Sequence, residues 1–398
     1  MVPIQTVAIA GFWTCASLVL YVYVGYPILV WILARVFGRE ARPPVGPEDV
    51  HPHAVSMIIA VCDEEAVIGD RLRNALEMDY PSQELEIIVG SDGSIDRTTE
   101  IVHGFADRGV RLLEFARRRG KAAVVNDAVT AARGEFLLMT DANTHFDPAA
   151  ARKLTRWFCD PSVGAVIGRL ILVDPCTGAN ADGLYWEYET FLKRCEARLG
   201  ASMANNGAIY ALRRDLYEPI PPAMIADDLV IPLRAKLRTG CKIVYDPEAI
   251  ALEETAADVR AEFCRRVRIG AGGFGSIGML WKLLDPRRGW VAVAFLSHKI
   301  LRWLCPFFLI GALLGSLALR DRQPYRAALL AQAGFYVTSL LMARVPTRHR
   351  LLRPLRLATM FTTMNAALLV GFWRWLSGRS EGAWRRTARA DKAEGPVW

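Results

Sequence analysis

Short apolar segments of strand length alternate with longer amphipathic segments between residues 55 and 143. This alternation is typical of a parallel sheet covered by helices on both faces, so we expect an α/β domain. The predicted strands are VSMIIAV (55–61), LEIIVG (85–90), VRLLEF (110–115) and FLLM (136–139). The predicted helices cover residues 64–78, 96–106 and 121–132.

Polar residues with side-chain oxygens follow three of these strands. Asp63 and Glu65 follow the first, Asp92 follows the second, and Asp141 and Asn143 follow the fourth. In open α/β sheets, ligands bind at the edge formed by the carboxyl ends of the strands. Carboxylate and amide oxygens there suit a hard divalent cation, which in turn holds a diphosphate. The alternative is that these residues cap the helices that follow.

The composition indicates membrane segments at both ends of this domain. The chain has 398 residues, 52% hydrophobic residues and a formal net charge of +8. The positive charge lies near apolar segments, which favours contact with anionic lipid over nucleic acid. The eight cysteines form no C-x-x-C pair, which is typical of reduced thiols in a cytosolic domain.

Hydropathy and charge predict the membrane topology. The predicted segments are a first span within residues 1–40, a linker at 41–53 and a catalytic domain at 54–260. Interfacial helices follow at 261–302, over Phe274 to Leu284 and Trp290 to Leu301. Three spans are predicted at 303–376, over Trp303 to Leu319, Ala327 to Ala343 and Leu357 to Leu376, and a basic tail at 377–398. Arginines after the first span and in the Arg344 to Arg356 loop place the domain in the cytoplasm. The basic tail does not fit this topology. A fourth crossing of the membrane places it outside the cytoplasm, whereas basic residues are expected on the cytoplasmic side.

Several motifs in order resemble those of inverting family 2 glycosyltransferases. The segments are VSMIIAVCDEEAVI, SDGSIDRT (91–98), RRGKAAVVNDAV (118–129), TDAN (140–143), NNGAIYALRRDL (205–216), MIADDLVIPLRAKLRTG (224–240) and EFCRRVRIGAGG (262–273). The resemblance covers about Val55 to Gly273, and the spans at both ends are similar to those of cellulose and hyaluronan synthases. It implies a GT-A fold, which is Rossmann-like with a mostly parallel sheet.

The resemblance also implies roles for single residues. They are Asp63 and Glu65 at the uridine and ribose, Asp92 at the base, Lys121 at the diphosphate, and Asp141 and Asn143 as ligands of Mg²⁺ or Mn²⁺. Arg265, Arg266 and Arg268 either clamp the diphosphate or contact lipid head groups, and the family pattern favours Arg268. The family usually has Asp at the position of Asn143 and Asn at the position of Asp63.

Asp227 and Asp228 open a predicted helix. They are either helix-terminal residues favoured by the helix dipole or catalytic groups. The family pattern of an acid followed six residues later by Arg, here Asp228 and Arg234, implies that Asp228 is the general base in a direct displacement with inversion.

We therefore expect a glycosyltransferase of the bacterial inner membrane that acts in exopolysaccharide or cell-envelope synthesis. The expected donor is a nucleotide sugar, UDP-linked by resemblance, and the expected acceptor is lipid-linked or a polysaccharide. Processive relatives have Gln and Trp where this chain has Arg265 and Ile269, which predicts the addition of one or a few sugars. The alternatives are a processive synthase, or a catalytically silent subunit that binds nucleotide sugar within an assembly of other polysaccharide proteins.

Overall fold

The chain divides into two compact units. The computed structural model describes residues 4–46, 52–173, 183–203, 207–255, 259–343 and 353–379. The first unit comprises Met1–Leu29, Glu262–Phe274 and Phe295–Ser380, and the second comprises Val30–Ala261, Gly275–Ala294 and Glu381–Trp398. Residues 344–352 of the predicted basic loop and residues 380–398 of the basic tail lie outside the described residues.

An eight-stranded sheet forms the centre of the second unit. Its strands are β1 (Val55–Val61), β2 (Leu85–Asp92), β3 (Val110–Phe115), β4 (Phe136–Thr140), β5 (Thr144–Phe146), β6 (Val163–Val173), β7 (Tyr210–Arg213) and β8 (Lys242–Glu254). The strand order is β3-β2-β1-β4-β7-β6-β8-β5. Parallel pairing joins β3, β2, β1 and β4, as well as β6 and β8. The predicted α/β fold with a mostly parallel sheet is confirmed.

Helices cover this sheet. They are α3 (Ile68–Leu76), α4 (Thr98–His103), α5 (Lys121–Ala131), α6 (Ala150–Thr155), α7 (Leu184–Arg198) and α8 (Asp227–Thr239). Every residue of β1 and β4 is buried, as expected for central strands that are covered on both faces. The antiparallel β7 lies between β4 and β6, and it connects the first four strands to the rest of the sheet.

The remaining helices lie wholly or partly in the first unit, apart from α10. They are α1 (Ile4–Leu20), α2 (Tyr26–Val36), α9 (Val259–Leu280), α10 (Trp290–Ala294), α11 (Leu301–Ala318), α12 (Tyr325–Met342) and α13 (Arg353–Leu376). Two helical stretches in the described part of the chain have the length and apolar composition of a membrane span: Gln5–Val36 and Trp290–Ala318. Each contains a short π-helical segment, Tyr21–Gly25 and Phe295–Ile300.

The predicted boundary between the interfacial helices and the first C-terminal span falls within one helical stretch. Trp290 to Leu301, which we expected to lie in the membrane interface, continues into α11. Its position relative to the membrane stays a prediction. The strands β5 to β8 were not predicted from the sequence, because all four take part in antiparallel pairs with residues distant in sequence.

Candidate active site

The carboxyl ends of β1, β2 and β4 lie at one edge of the sheet. The parallel registers pair Val61 with Ser91 and Ile59 with Thr140. The loops that follow these three strands therefore begin side by side. The predicted donor and metal residues belong to these loops.

Asp92 fixes the loop that precedes α5. Its carboxylate is 1% exposed, and its two oxygens accept hydrogen bonds from the backbone N–H groups of Arg119 at 2.6 Å and Gly120 at 2.9 Å. Gly120 has a φ of 92°, which favours glycine. These contacts hold the first residue of α5, Lys121, in place. A contact between Asp92 and the nucleotide base stays a prediction.

Asp63 and Glu65 join the loop after β1 to the loop after β2. Asp63 has a φ of 55°, a conformation that Asp adopts more readily than most residues. Its carboxylate accepts the backbone N–H of Ile95 at 2.8 Å and forms an ion pair with Arg118. Glu65 accepts the backbone N–H of Arg97 at 3.0 Å. Both predicted nucleotide-binding residues therefore also stabilise the loops at this edge.

Lys121 brings together carboxylates from two distant parts of the chain. Its Nζ lies 2.9 Å from Oδ1 of Asp141 and 3.2 Å from Oδ2 of Asp227. Burial acts to lower the pKa of Lys121, but the carboxylates of Asp141, Asp227 and Asp228 outweigh burial and raise it. The lysine therefore stays protonated. The structure thus unites the predicted diphosphate, metal and catalytic residues.

Asp228 lies beside Asp141 across Gly207. A Cβ atom built at Gly207 would be 3.6 Å from Oδ2 of Asp141 and 3.5 Å from Cβ of Asp228. Both acids therefore lie close to Gly207. Asp227 and Asp228 are the first two residues of α8, and the residue before them, Ala226, makes no side-chain capping bond.

Two residues near these acids were missed by sequence analysis. Tyr210 is 2% exposed, and burial together with Asp227, Asp228 and Asp141 raises its pKa well above the ordinary value. Its hydroxyl has no hydrogen-bond partner among the described residues. Burial lowers the pKa of Lys193, against the opposing influence of nearby acids that include Asp228. The segment that contains Tyr210 was matched to the family, but nothing in the sequence distinguished Lys193.

Asn143 has a different neighbour from Asp141. Its Nδ2 donates a hydrogen bond to Oε1 of Glu253 at 2.9 Å, next to the pairing of Thr144 with Glu253 between β5 and β8. No group of three or more His, Cys, Asp and Glu side chains with the spacing of metal ligands occurs in the part of the chain that the structure describes. A role for Asn143 as a metal ligand stays a prediction.

Arg265, Arg266 and Arg268 of α9 belong to the first unit, whereas Lys121 and its carboxylates belong to the second. Arg265 and Arg266 both bind Glu262, at 2.8 Å and 2.6 Å. Burial acts to raise the pKa of Glu262, but the two arginines outweigh it and lower that pKa. The predicted contacts of Arg265 and Arg268 with a diphosphate stay predictions.

Comparison with known proteins identifies relatives of both the sequence and the fold. Residues 56–220 match the model of glycosyl transferase family 2. The chain is 26% identical over 261 residues to a poly-beta-1,6-N-acetyl-D-glucosamine synthase of Staphylococcus epidermidis and 25% identical over 267 residues to the Staphylococcus aureus protein of that name. These alignments cover 64% and 62% of this chain, and 62% and 64% of the relatives. The chain thus spans less than two thirds of their length.

A solved structure resembles nearly the whole chain. It is the mannosyltransferase PcManGT from Pyrobaculum calidifontis in complex with GDP-Man and Mn²⁺. The TM-score is 0.70 and the sequence identity 22%, and the match covers 94% of this chain and 99% of the other. Together with the family match, this likeness confirms the predicted GT-A fold.

Proposed function

Because residues 56–220 match the model of glycosyl transferase family 2, we propose that this chain transfers a sugar from a nucleotide diphosphate donor to an acceptor hydroxyl with inversion. One observation carries the proposal. Lys121 contacts Asp141 and Asp227 at the carboxyl edge of the sheet, with Asp228 close to Asp141. This arrangement combines a cation for a leaving diphosphate with carboxylates for a metal ion and for proton transfer.

The carboxylates fit a divalent cation that is shared with the donor. Mg²⁺ is usually held by one or two protein carboxylates plus substrate phosphates, so a cluster of three protein ligands is not required. Asp141 is the proposed ligand, because its carboxylate lies beside Lys121 and near Asp228 at the carboxyl edge of the sheet. Mg²⁺ or Mn²⁺ would supply charge stabilisation for the departing diphosphate. Lys121 supplies further positive charge at the same place.

Asp228 is the proposed base. The acceptor hydroxyl oxygen attacks the anomeric carbon from the face opposite the diphosphate, and its proton passes to the carboxylate of Asp228. The bond between the anomeric carbon and the phosphate oxygen breaks, and the nucleoside diphosphate leaves with that electron pair. Asp228 follows Asp227, the partner of Lys121, in α8 and lies close to Asp141, so it belongs to the same group of acids.

We place the enzyme in the bacterial inner membrane with its catalytic domain in the cytoplasm. The stretches Gln5–Val36 and Trp290–Ala318 support membrane insertion. A lipid-linked or polysaccharide acceptor suits a catalytic domain that is tethered to the bilayer, and other polysaccharide-assembly proteins are proposed partners. UDP is the proposed nucleotide, on the resemblance of the donor motifs.

A second candidate function is processive polymer synthesis. The names of the staphylococcal relatives, which are polysaccharide synthases, favour it. Ile269, which is 42% exposed, favours one or a few additions, because it lacks the aromatic face on which a sugar packs. A catalytically silent subunit is the third possibility, and the substitution at Asn143 is the feature that favours it.

A donor screen tests the proposed function. Membranes that contain this chain would be incubated with UDP- and GDP-linked sugars, including nucleotide-activated N-acetylglucosamine and mannose, and Mg²⁺ or Mn²⁺. We expect release of nucleoside diphosphate from one donor and its loss in Asp141→Ala. Binding of a donor without turnover would support the silent subunit instead.

A further inference from the structure

A cavity of about 350 Å³ lies in the second unit beside the C-terminal half of α8. Its charged and aromatic lining residues are Glu218, Arg234, Arg238, Trp281, Lys282 and Arg288. Four of these are cations and one is an anion. The cavity shares no residue with the Lys121 site. Ten helical residues separate Asp228 from Arg238, which is about 15 Å along α8.

The positive charge of this cavity is only partly neutralised. Glu218 binds Arg234 at 2.6 Å and Arg238 at 3.6 Å. Within the described ranges, Arg288 donates to backbone carbonyls alone, those of Lys282 at 3.1 Å and Leu237 at 3.4 Å, and these contacts position its charge without cancelling it. The Lys282 side chain is exposed, and no ion-pair partner for it occurs among the described residues. The cavity therefore suits an anion with several oxygens, such as a phosphate group.

The chain around this cavity has features of a membrane interface. Arg288 precedes the candidate span Trp290–Ala318 by two positions. Trp281 is 59% exposed, Trp290 is 37% exposed, and Trp290 lies 6.0 Å from Phe37, which is 61% exposed. Exposed tryptophans are enriched where a protein meets lipid head groups, and basic pockets at that level bind phospholipid head groups.

We propose that this cavity binds the phosphate head group of an anionic membrane lipid. The partly uncompensated charges of Lys282 and Arg288 recognise the phosphate, and Trp281 lies against the lipid. The bound lipid contacts the helix that begins with Asp227 and Asp228. This inference does not depend on the reaction catalysed, because its test measures binding alone.

Native mass spectrometry of the detergent-purified full chain tests the proposal. The probes are short-chain phosphatidylglycerol and the zwitterionic short-chain phosphatidylcholine. We expect tighter binding of phosphatidylglycerol, and a rise of about thirtyfold in its dissociation constant in the double variant Lys282→Gln, Arg288→Gln. The conservative Arg288→Lys should retain the preference, because it keeps the charge.

A matched double variant, Arg108→Gln with Arg133→Gln, removes two exposed cations of the same unit that lie outside the cavity. It should bind phosphatidylglycerol as the unmodified chain does. Unchanged binding in Lys282→Gln, Arg288→Gln would overturn the proposal, and displacement of the lipid by excess inorganic phosphate would identify a site for free phosphate instead. If the double variant does not fold, Lys282→Gln alone decides, because this exposed side chain makes no contact that the fold needs.

Discussion

At the scale of single residues, the charges around Lys121 are consistent with the proposed divalent cation. Asp141, Asp227 and Asp228 influence the ammonium group of Lys121, and Lys193 also lies near Asp228. The three carboxylates outnumber these two lysines. A divalent cation at this place would add positive charge for the diphosphate of the donor and for the charge that develops on the leaving group. We therefore expect Lys121 to act together with the metal ion.

The metal requirement gives the first prediction. Asp141→Ala should abolish turnover, and EDTA should do the same to the unmodified enzyme. Asn143→Asp should retain or raise turnover, because a carboxylate binds a hard cation more strongly than an amide does. Donor turnover at varied Mn²⁺ concentration measures both effects. Full activity in EDTA would contradict the metal role.

The proposed base gives the second prediction. Asp228→Asn keeps the shape of the side chain but removes the proton acceptor, so kcat should fall about a hundredfold or more while donor binding persists. Calorimetric titration with the donor's nucleoside diphosphate separates binding from turnover. An unchanged kcat would show that Asp228 is not the base and that it only stabilises the start of α8.

At the scale of elements, small residues allow α1 and α11 to approach closely. Gly311 and Gly315 are spaced as in a G-x-x-x-G motif. A Cβ atom at Gly311 would lie 2.6 Å from Sγ of Cys15, and one at Gly315 would lie 2.9 Å from Cβ of Phe12. Helices in lipid associate through such close packing, since lipid removes the hydrophobic contribution to their association.

This packing gives the third prediction. Gly315→Val should destabilise the first unit by about 1–3 kcal/mol, because Phe12 has to move away from the larger side chain. Thermal unfolding of the protein in detergent measures the effect. Gly334→Ala in α12 is the matched control, because a Cβ atom there meets nothing within 4 Å. Equal melting temperatures for the two variants would show that the contact between α1 and α11 adds nothing to stability.

At the scale of the whole molecule, contacts within the first unit join segments that are distant along the chain. Arg322, just before α12, donates a hydrogen bond to Gln5 at 2.7 Å, and Trp13 donates one to the hydroxyl of Tyr325 at 3.2 Å. The start of α1 therefore lies beside the connection between α11 and α12. This is the expected arrangement if both face the side of the membrane opposite the catalytic domain.

The topology gives the fourth prediction. In intact cells, a membrane-impermeant thiol reagent should label Gln323→Cys and should not label Gly46→Cys, because the basic residues after the first span retain the linker in the cytoplasm. The unmodified chain supplies the background from native cysteines. Labelling at position 46 alone would show that the linker lies outside the cytoplasm. Cytosolic nucleotide sugar could then not reach the site.

Product size gives the fifth prediction. A growing polymer must stay bound after each transfer, and an isoleucine at position 269 offers a sugar no aromatic face. We expect purified enzyme and a defined donor to yield one discrete product, or very few, by mass spectrometry. Ile269→Trp should lengthen the products. A ladder of high-mass polysaccharide from the unmodified chain would establish the processive alternative.

The sequence by itself determined the α/β fold, the first four strands and the edge of the sheet where the site lies. Periodicity is a local property, and short apolar runs such as Phe136 to Met139 that alternate with longer amphipathic segments indicate buried strands between helices. The motifs around Asp92 and Asp141 also carry the resemblance to family 2 glycosyltransferases, because they occur in order and at fixed places relative to those strands.

Only the tertiary structure decided which of these side chains meet. Asn143 binds Glu253, which is 110 positions away, and the ammonium of Lys121 lies between Asp141 and Asp227. The antiparallel β7 brings Tyr210 to the same acids. The cavity beside α8 likewise joins segments that are distant along the chain. Such contacts depend on long-range strand order and on helix packing, and no local pattern of residues specifies either one.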